Sequence, residues 1–178
     1  MFGLFDHTTY SFLDLSGAIS HPEVGSYVFT GQGVGKVTVG YQVDKTAHEI
    51  GVNGVVCLYR VPGNSGKLII ECHQTSNIHK WLLHAYAVLY AVRDGEEVEA
   101  GYDRLNKAWG KMNFVIRSIT GGIHHYGKGV SFNKRPDMSY ASEGGMVTWE
   151  LLVAALSSRA DNPSGAGGLS AIAKQFIS

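Results

Sequence analysis

From Lys36 to Val43 the apolar residues Val37, Val39, Tyr41 and Val43 alternate with Lys36, Thr38 and Gln42. A period of two specifies a strand that buries one face. Turn chemistry then recurs at short intervals: Asp44-Lys-Thr46, Asn53-Gly54, the strongest short hairpin signal, and Pro62-Gly-Asn-Ser-Gly66. The pattern predicts a meander with strands at 36–43, 47–52, 55–61 and 67–74. Its register bears on the cysteines. If Val61 faces Lys67, Cys57 faces Glu71 and Cys72 points to the other side of the sheet. One residue of slip sets the two cysteines opposite each other, and both registers stay open at the level of sequence.

Beyond the meander, Thr75 or Ser76 caps a helix running to Val92, with Ile78, Trp81, Leu82, Ala85, Val88, Leu89 and Val92 on one stripe. At 100° per residue His79, Leu83, Tyr86 and Tyr90 gather on the nearly opposite side. Either a partner covers that row, or the helix is buried on both sides within its own domain. The segment from Arg93 to Met112 is the most charged and reads as a solvated loop with a short helix. Strands are predicted at 113–119, 129–133 and 147–156, with a Thr120-Gly-Gly122 turn. The composition sets one domain over 1–156, with an N-terminal arm at 1–12. Residues 157–178 form a Gly- and Ser-rich linker and a docking segment: Asp161-Asn-Pro-Ser-Gly-Ala-Gly-Gly168 is flexible by composition, and Leu169, Ile172, Ala173, Phe176 and Ile177 recur at helical spacing. Ten residues make a marginal helix alone, so this tail is expected to dock on its own domain or a neighbour.

A chain of 178 residues buries enough surface for one domain without a metal or disulfide staple. Its 23 glycines and only four prolines favour turns and close backbone approaches over disorder. Fifteen basic and fifteen acidic residues cancel, which disfavours tight nucleic-acid binding. Met1 to His7 lacks the charged and apolar regions of a signal peptide, and no apolar run approaches 18 residues, so synthesis in the cytoplasm and no membrane insertion are expected. With two cysteines there is no disulfide framework.

Catalytic and cofactor chemistry finds no foothold in the motifs. His124 and His125 are adjacent and diverge on a strand, His79 and His84 are five apart on a helix, and His73 adds no third ligand; no metal site is expected. Gly31-Gln-Gly-Val-Gly-Lys36 lacks the phosphate-loop spacing and reads as a glycine-rich turn entering a strand. No serine sits in a nucleophile elbow, and neither cysteine has an activating motif. The chain is expected to be neither an enzyme nor a cofactor protein.

Four segments in fixed order carry a resemblance: Phe12-Leu-Asp-Leu-Ser-Gly17, the Asp44-Lys-Thr46 turn, Trp109-Gly110 before a strand, and Lys134-Arg-Pro-Asp-Met-Ser-Tyr140 leading to Trp149. Over about residues 9–156 the chain resembles the tail tube proteins of contractile-tailed bacteriophages. The resemblance implies a mainly β fold with one flanking α-helix, a β-sandwich or partial barrel whose strands join a ring-shaped hexameric β-barrel. The rings would stack into the inner tail tube, a hollow conduit for DNA ejection. Implied partners are further copies of the chain, the surrounding sheath, and baseplate and tail-terminator proteins at the ends, with double-stranded DNA passing without specific binding. The protein would be a virion component made in the host cytoplasm.

If six subunits each contributed four strands, 24 strands at ~4.8 Å spacing and ~40° tilt would give a backbone diameter of about 48 Å and a channel of roughly 40 Å. The strands at 36–74 are the expected four. Within this reading Phe2, Phe5, Tyr10, Phe12, Asp44 and Lys45 would contact the next ring. His79, Leu83, Tyr86 and Tyr90 would meet a lateral neighbour or the sheath, and Thr38, Gln42, Glu49 and Glu71 would face the lumen. The segment after Ser157 departs from the family pattern. Two alternatives remain: the tube of a phage-derived contractile injection system, and a ligand-binding β-barrel with Trp81, Tyr59 and Trp149 lining a pocket.

Overall fold

Nine strands and one long helix account for the regular structure in a computed structural model that describes residues 12–31, 33–90, 109–118, 122–140 and 144–161. The strands are β1 (Leu15–His21), β2 (Gly25–Thr30), β3 (Val34–Tyr41), β4 (Thr46–Ile50), β5 (Val56–Arg60), β6 (Gly66–His73), β7 (Met112–Ser118), β8 (Ile123–Lys134) and β9 (Met146–Ala160); α1 spans Asn77–Tyr90. A single 3-10 turn, Phe12–Asp14, precedes β1. The fold is thus mainly β with one flanking helix. Phe2, Phe5, Tyr10, the segment around Arg93–Asp103 and the Leu169–Ile177 stripe lie outside the described residues.

Seven strands form one antiparallel sheet in the order β2, β1, β7, β8, β9, β6, β3, and β4 pairs only with β5. The expected meander is therefore corrected. Its first and last strands, β3 and β6, pair with each other, from Val34 opposite Cys72 to Tyr41 opposite Gly66. The middle two leave the sheet as a separate hairpin. The Asn53-Gly54 turn forms as its chemistry requires, with Gly54 at φ 76° and its N–H donated to the Gly51 carbonyl at 2.8 Å. What failed is the assumption that successive strands stay adjacent. Neither cysteine register occurs: Cys57 is exposed opposite Glu49, and Cys72 is buried opposite Val34 and Val147.

The connection between β2 and β3 shapes the molecule. They are the two outermost strands of the seven, yet only residues 31–33 separate them in sequence. The edges of a flat seven-stranded sheet would stand about 29 Å apart, beyond the ~15 Å that such a link spans. The sheet must curl into a half-barrel whose edges converge at this corner. Gly33 takes φ 81° there, and the Gly31 N–H is donated to the Leu15 carbonyl at 3.1 Å. The Gly31–Lys36 stretch is a turn entering a strand, as its sequence indicates.

Alternate residues of every sheet strand point into the curl. Ile19, Phe29, Phe114, Ile116, Val130, Phe132, Leu68, Ile70, Leu151 and Trp149 form the core, and α1 sinks into the open side on Ile78, Leu82 and Ala85. The helix begins where Ser76 Oγ accepts the His79 N–H at 3.3 Å, an N-cap. Only Lys80, His84, Ala87 and Asn77 are exposed along it. Trp81 stacks on Tyr27 of β2 at 5.9 Å between ring centroids, while Tyr86 meets Phe132 of β8 at 5.5 Å. The helix bridges the two halves of the curl and is packed on both sides.

Strands β1 and β2 escape the sequence reading because their inward positions are not uniformly apolar. Gly17 and His21 occupy core-facing places on β1, and Val28 of β2 faces out. At the other end β9 runs four residues past Leu156, so Ser157–Ala160, read as linker, belong to the sheet opposite Tyr126, His125, His124 and Ile123.

Candidate functional site

Four of the described histidines, His21, His79, His124 and His125, are held in structural contacts. The buried His79, 5% exposed, accepts the Trp149 indole N–H on Nδ1 at 3.1 Å, so its proton sits on Nε2. Burial holds the His79 imidazole below the usual histidine range. His21 Nδ1 accepts the Glu23 N–H at 3.0 Å. His124 lies between two partners, with Arg117 Nε donating to its Nδ1 at 3.2 Å and its Nε2 3.0 Å from Asp161 Oδ1. His125 Nδ1 is 2.8 Å from Ser158 Oγ, and burial, then the neighbouring His124, holds its imidazole below the usual range. No cluster of three or more His, Cys, Asp or Glu side chains suited to a metal ion occurs among the described residues. The aromatics proposed for a ligand pocket have three different surroundings: Trp149 is fully buried, Trp81 stacks on Tyr27, and Tyr59 lies on the exposed hairpin.

Surfaces, instead, are what the fold prepares. The first is the β4–β5 hairpin, exposed at every strand position and carrying Ile50, Val52, Val55, Val56, Leu58 and Tyr59, with Leu58 73% exposed. A two-stranded hairpin is marginal alone, and an apolar one exposed on all sides invites association. Asp44 and Lys45 sit at its base, not its tip. Lys45 Nζ donates to Asn64 Oδ1 at 2.6 Å and to the Gly63 carbonyl, lies over the Tyr41 ring at 5.0 Å, and its carbonyl accepts the Val61 N–H at 3.0 Å. These contacts fasten the hairpin to the sheet. Phe12, half-buried, packs against the core at the corner where Gly31 passes.

The second surface is the outer face of β3, β6, β9 and β8. Thr38 and Glu71 lie on it; Gln42 sits just past β3, its N–H on the Ser65 carbonyl at 3.0 Å, and Glu49 is on the hairpin, accepting the Tyr59 hydroxyl at 3.2 Å. Part of the charge on this face is paired: Lys36 with Glu71 at 3.6 Å and Lys67 with Glu150 at 3.8 Å, with Asn133 donating to Glu150 at 3.2 Å, while Lys128 on β8 stands exposed. The third is the pair of outermost strands, β2 and β3, each with one side unpaired among the described residues. Free strand edges are templates for another strand.

The row His79, Leu83, Tyr86 and Tyr90 turns toward the molecule's own sheet. Tyr86 stacks on Tyr90 at 4.7 Å, and Tyr90 meets Trp109 edge-on at 5.0 Å and Phe132 at 5.9 Å. Burial pushes the Tyr90 phenol up to about 12. Leu83, Tyr86 and Tyr90 nonetheless keep part of their surface open.

A family model described as that of the bacteriophage PhiTE tail tube protein matches residues 7–159. Among solved structures the chain is similar to the tube-terminating cap of the anti-feeding prophage, with 6% sequence identity and a TM-score of 0.49 over 89% of this chain and 96% of that one. It is also similar to a chain of the sheath–tube complex of PVC, an extracellular contractile injection system in its extended state, with 8% identity and a TM-score of 0.47 over 86% and 93% of the two chains. The sheath/tube terminator of the same system follows at 9% identity and a TM-score of 0.45 over 81% and 93%. No curated protein matches the chain in a sequence comparison.

Proposed function

This chain belongs to the bacteriophage PhiTE tail tube protein family, and from that premise we propose that it is the structural subunit of the inner tail tube of a contractile-tailed bacteriophage, without catalytic activity. Copies assemble as hexameric rings that stack into a conduit for DNA, enclosed by a sheath and closed by baseplate and terminator proteins. The phage tail is preferred to a phage-derived injection system because the matching family is described by a phage tail tube protein.

The observation that carries the proposal is the β4–β5 hairpin, an apolar element exposed at every strand position and without cover among the described residues of its own subunit. A neighbouring ring is the partner that buries it, with Phe12 and the arm residues Phe2, Phe5 and Tyr10 adding to the same contact, and Asp44 and Lys45 bracing its base. Laterally, the β3 side of the β3–β6–β9–β8 layer in one subunit meets the β8 side of the same layer in the next, a head-to-tail contact that closes into a ring. The lumen strands become β3, β6, β9 and β8, four neighbours in one sheet, which replaces the four of the meander and leaves the ~40 Å channel estimate standing. Lys36 and Lys67 on that face are each paired with a glutamate, which weakens their hold on a passing polyanion. The exposed rims of Leu83, Tyr86 and Tyr90 are left for a lateral or sheath neighbour, His79 being a core residue.

Changing Leu58 to Asp tests the stacking contact. The variant is expected to keep the monomer's thermal stability, since Leu58 is 73% exposed, while sedimentation shows loss of stacked assemblies. Assembly equal to that of the unaltered chain would sink the hairpin's role.

A further inference from the structure

We propose that the C-terminal segment docks, through Leu169, Ile172, Ala173, Phe176 and Ile177, on the outer face of β2, β1, β7 and β8 of its own chain. The receiving surface is a row of Val28, Ala18, Val115 and Tyr126, one residue from each of four adjacent strands. The pairing register sets Val28 opposite Ala18, Ala18 opposite Val115, and Val115 opposite Tyr126. Val28 is 70% exposed, Tyr126 39%, and Ala18 and Val115 half-buried. A shallow groove of about 120 Å³ runs over Ala18, Val28 and Val115, edged by Ser16 and Arg117.

Where the chain leaves the sheet selects the occupant. Asp161 donates its N–H to the Gly122 carbonyl at 2.6 Å and sets its carboxylate against His124 at 3.0 Å. Both contacts draw the end of β9 toward β8. His124 is bonded to Arg117, and both lie on the face of Tyr126 and Val115, two residues along their strands. The tail is thus delivered onto the groove's own face, on the groove's side of β9.

Length and pattern agree with that placement. Seven residues of Gly- and Ser-rich composition, Asn162 to Gly168, would have a coil reach of roughly 15 Å, ample for a step of two residues along β8 at ~7 Å. The following residues place 169, 172, 173, 176 and 177 on one helical face. A ten-residue helix is about 15 Å long, and a row across four strands about 14 Å. Such a helix is marginal in water and an apolar row is unfavourable there, so each supplies what the other lacks.

Cysteine pairing in the full chain tests this, in a C57S background. Val115→Cys with Ile172→Cys is compared with Val115→Cys with Ala171→Cys, whose second position lies on the opposite helical side. Ala18→Cys with Phe176→Cys serves as an independent pair. On mild oxidation of micromolar protein the first and third pairs are expected to close within the chain, favoured by an effective concentration of about mM for a short flexible link. The Ala171→Cys pair is expected to lag. Equal rates for all pairs, or no product, overturn the docking; products only between chains assign the groove to a second copy and overturn it as well. Because the readout is taken on monomers, its failure is distinguishable from a failure to form tubes.

Discussion

Two glycines illustrate how single residues set this curl. Gly17 on β1 lies opposite Phe29 on β2, and Gly127 on β8 opposite Phe114 on β7; a Cβ at either glycine would fall on the facing ring. The missing side chains let each ring lie flat over the neighbouring strand. Gly17→Ala and Gly127→Ala are each expected to destabilise by about 1–3 kcal/mol through overpacking, measured by urea denaturation. His79 gives a second residue-scale outcome. Its folded pKa lies below the unfolded value because burial opposes the charge, and a proton on Nδ1 would break the Trp149 hydrogen bond. The unfolded chain therefore binds more protons below its ordinary pKa of ~6.5, and stability is lost as pH falls through that value. His125 is shifted in the same direction and adds to the effect. Melting temperature is expected to drop between neutral pH and pH ~5.5, and to drop less steeply in His79→Gln. An equal slope in the variant would remove His79 from the account.

Element by element, the helix and the hairpin are the parts whose local chemistry was legible. Ser76 caps α1, and replacing it with Ala is expected to cost about 0.5–2 kcal/mol in equilibrium unfolding, the usual worth of an N-cap. Asn53-Gly54 makes its turn, and β7 and β9 follow their apolar alternation; β8 does so only from Val130, and its first half, with Gly127 on the core face, begins six residues ahead of the expected strand. The illegible parts share a physical cause. Alternation says which face of a strand is buried, not which strand lies beside it, so the pairing of β3 with β6 across the hairpin had no local signal. On β1 the core face reads Leu15, Gly17, Ile19 and His21, a row whose glycine is explained only by Phe29 of the next strand. The second apolar row of α1 had two meanings, and the structure mixes them: the sheet buries His79 and covers part of Leu83, Tyr86 and Tyr90, whose open rims are left for the proposed neighbour. Of the assembly residues, Thr38 and Glu71 fall on the proposed lumen face, while Glu49 moves onto the hairpin because β4 leaves the sheet.

For the whole molecule, net neutrality and an apolar hairpin make a joint prediction about assembly. If stacking rests on buried Leu58, Val56 and Ile50 and not on ion pairs, assemblies are expected to persist at about 1 M salt, where the Debye length shrinks to ~3 Å. Light scattering across a salt series checks this, and dissociation at high salt would move the contact to charged groups. The most direct test of the central claim is electron microscopy of the purified, concentrated chain. Hollow tubes or six-fold rings with a channel of roughly 40 Å are the predicted result. Particles that stay monomeric at the highest concentration reached, or filaments without a channel, would contradict it.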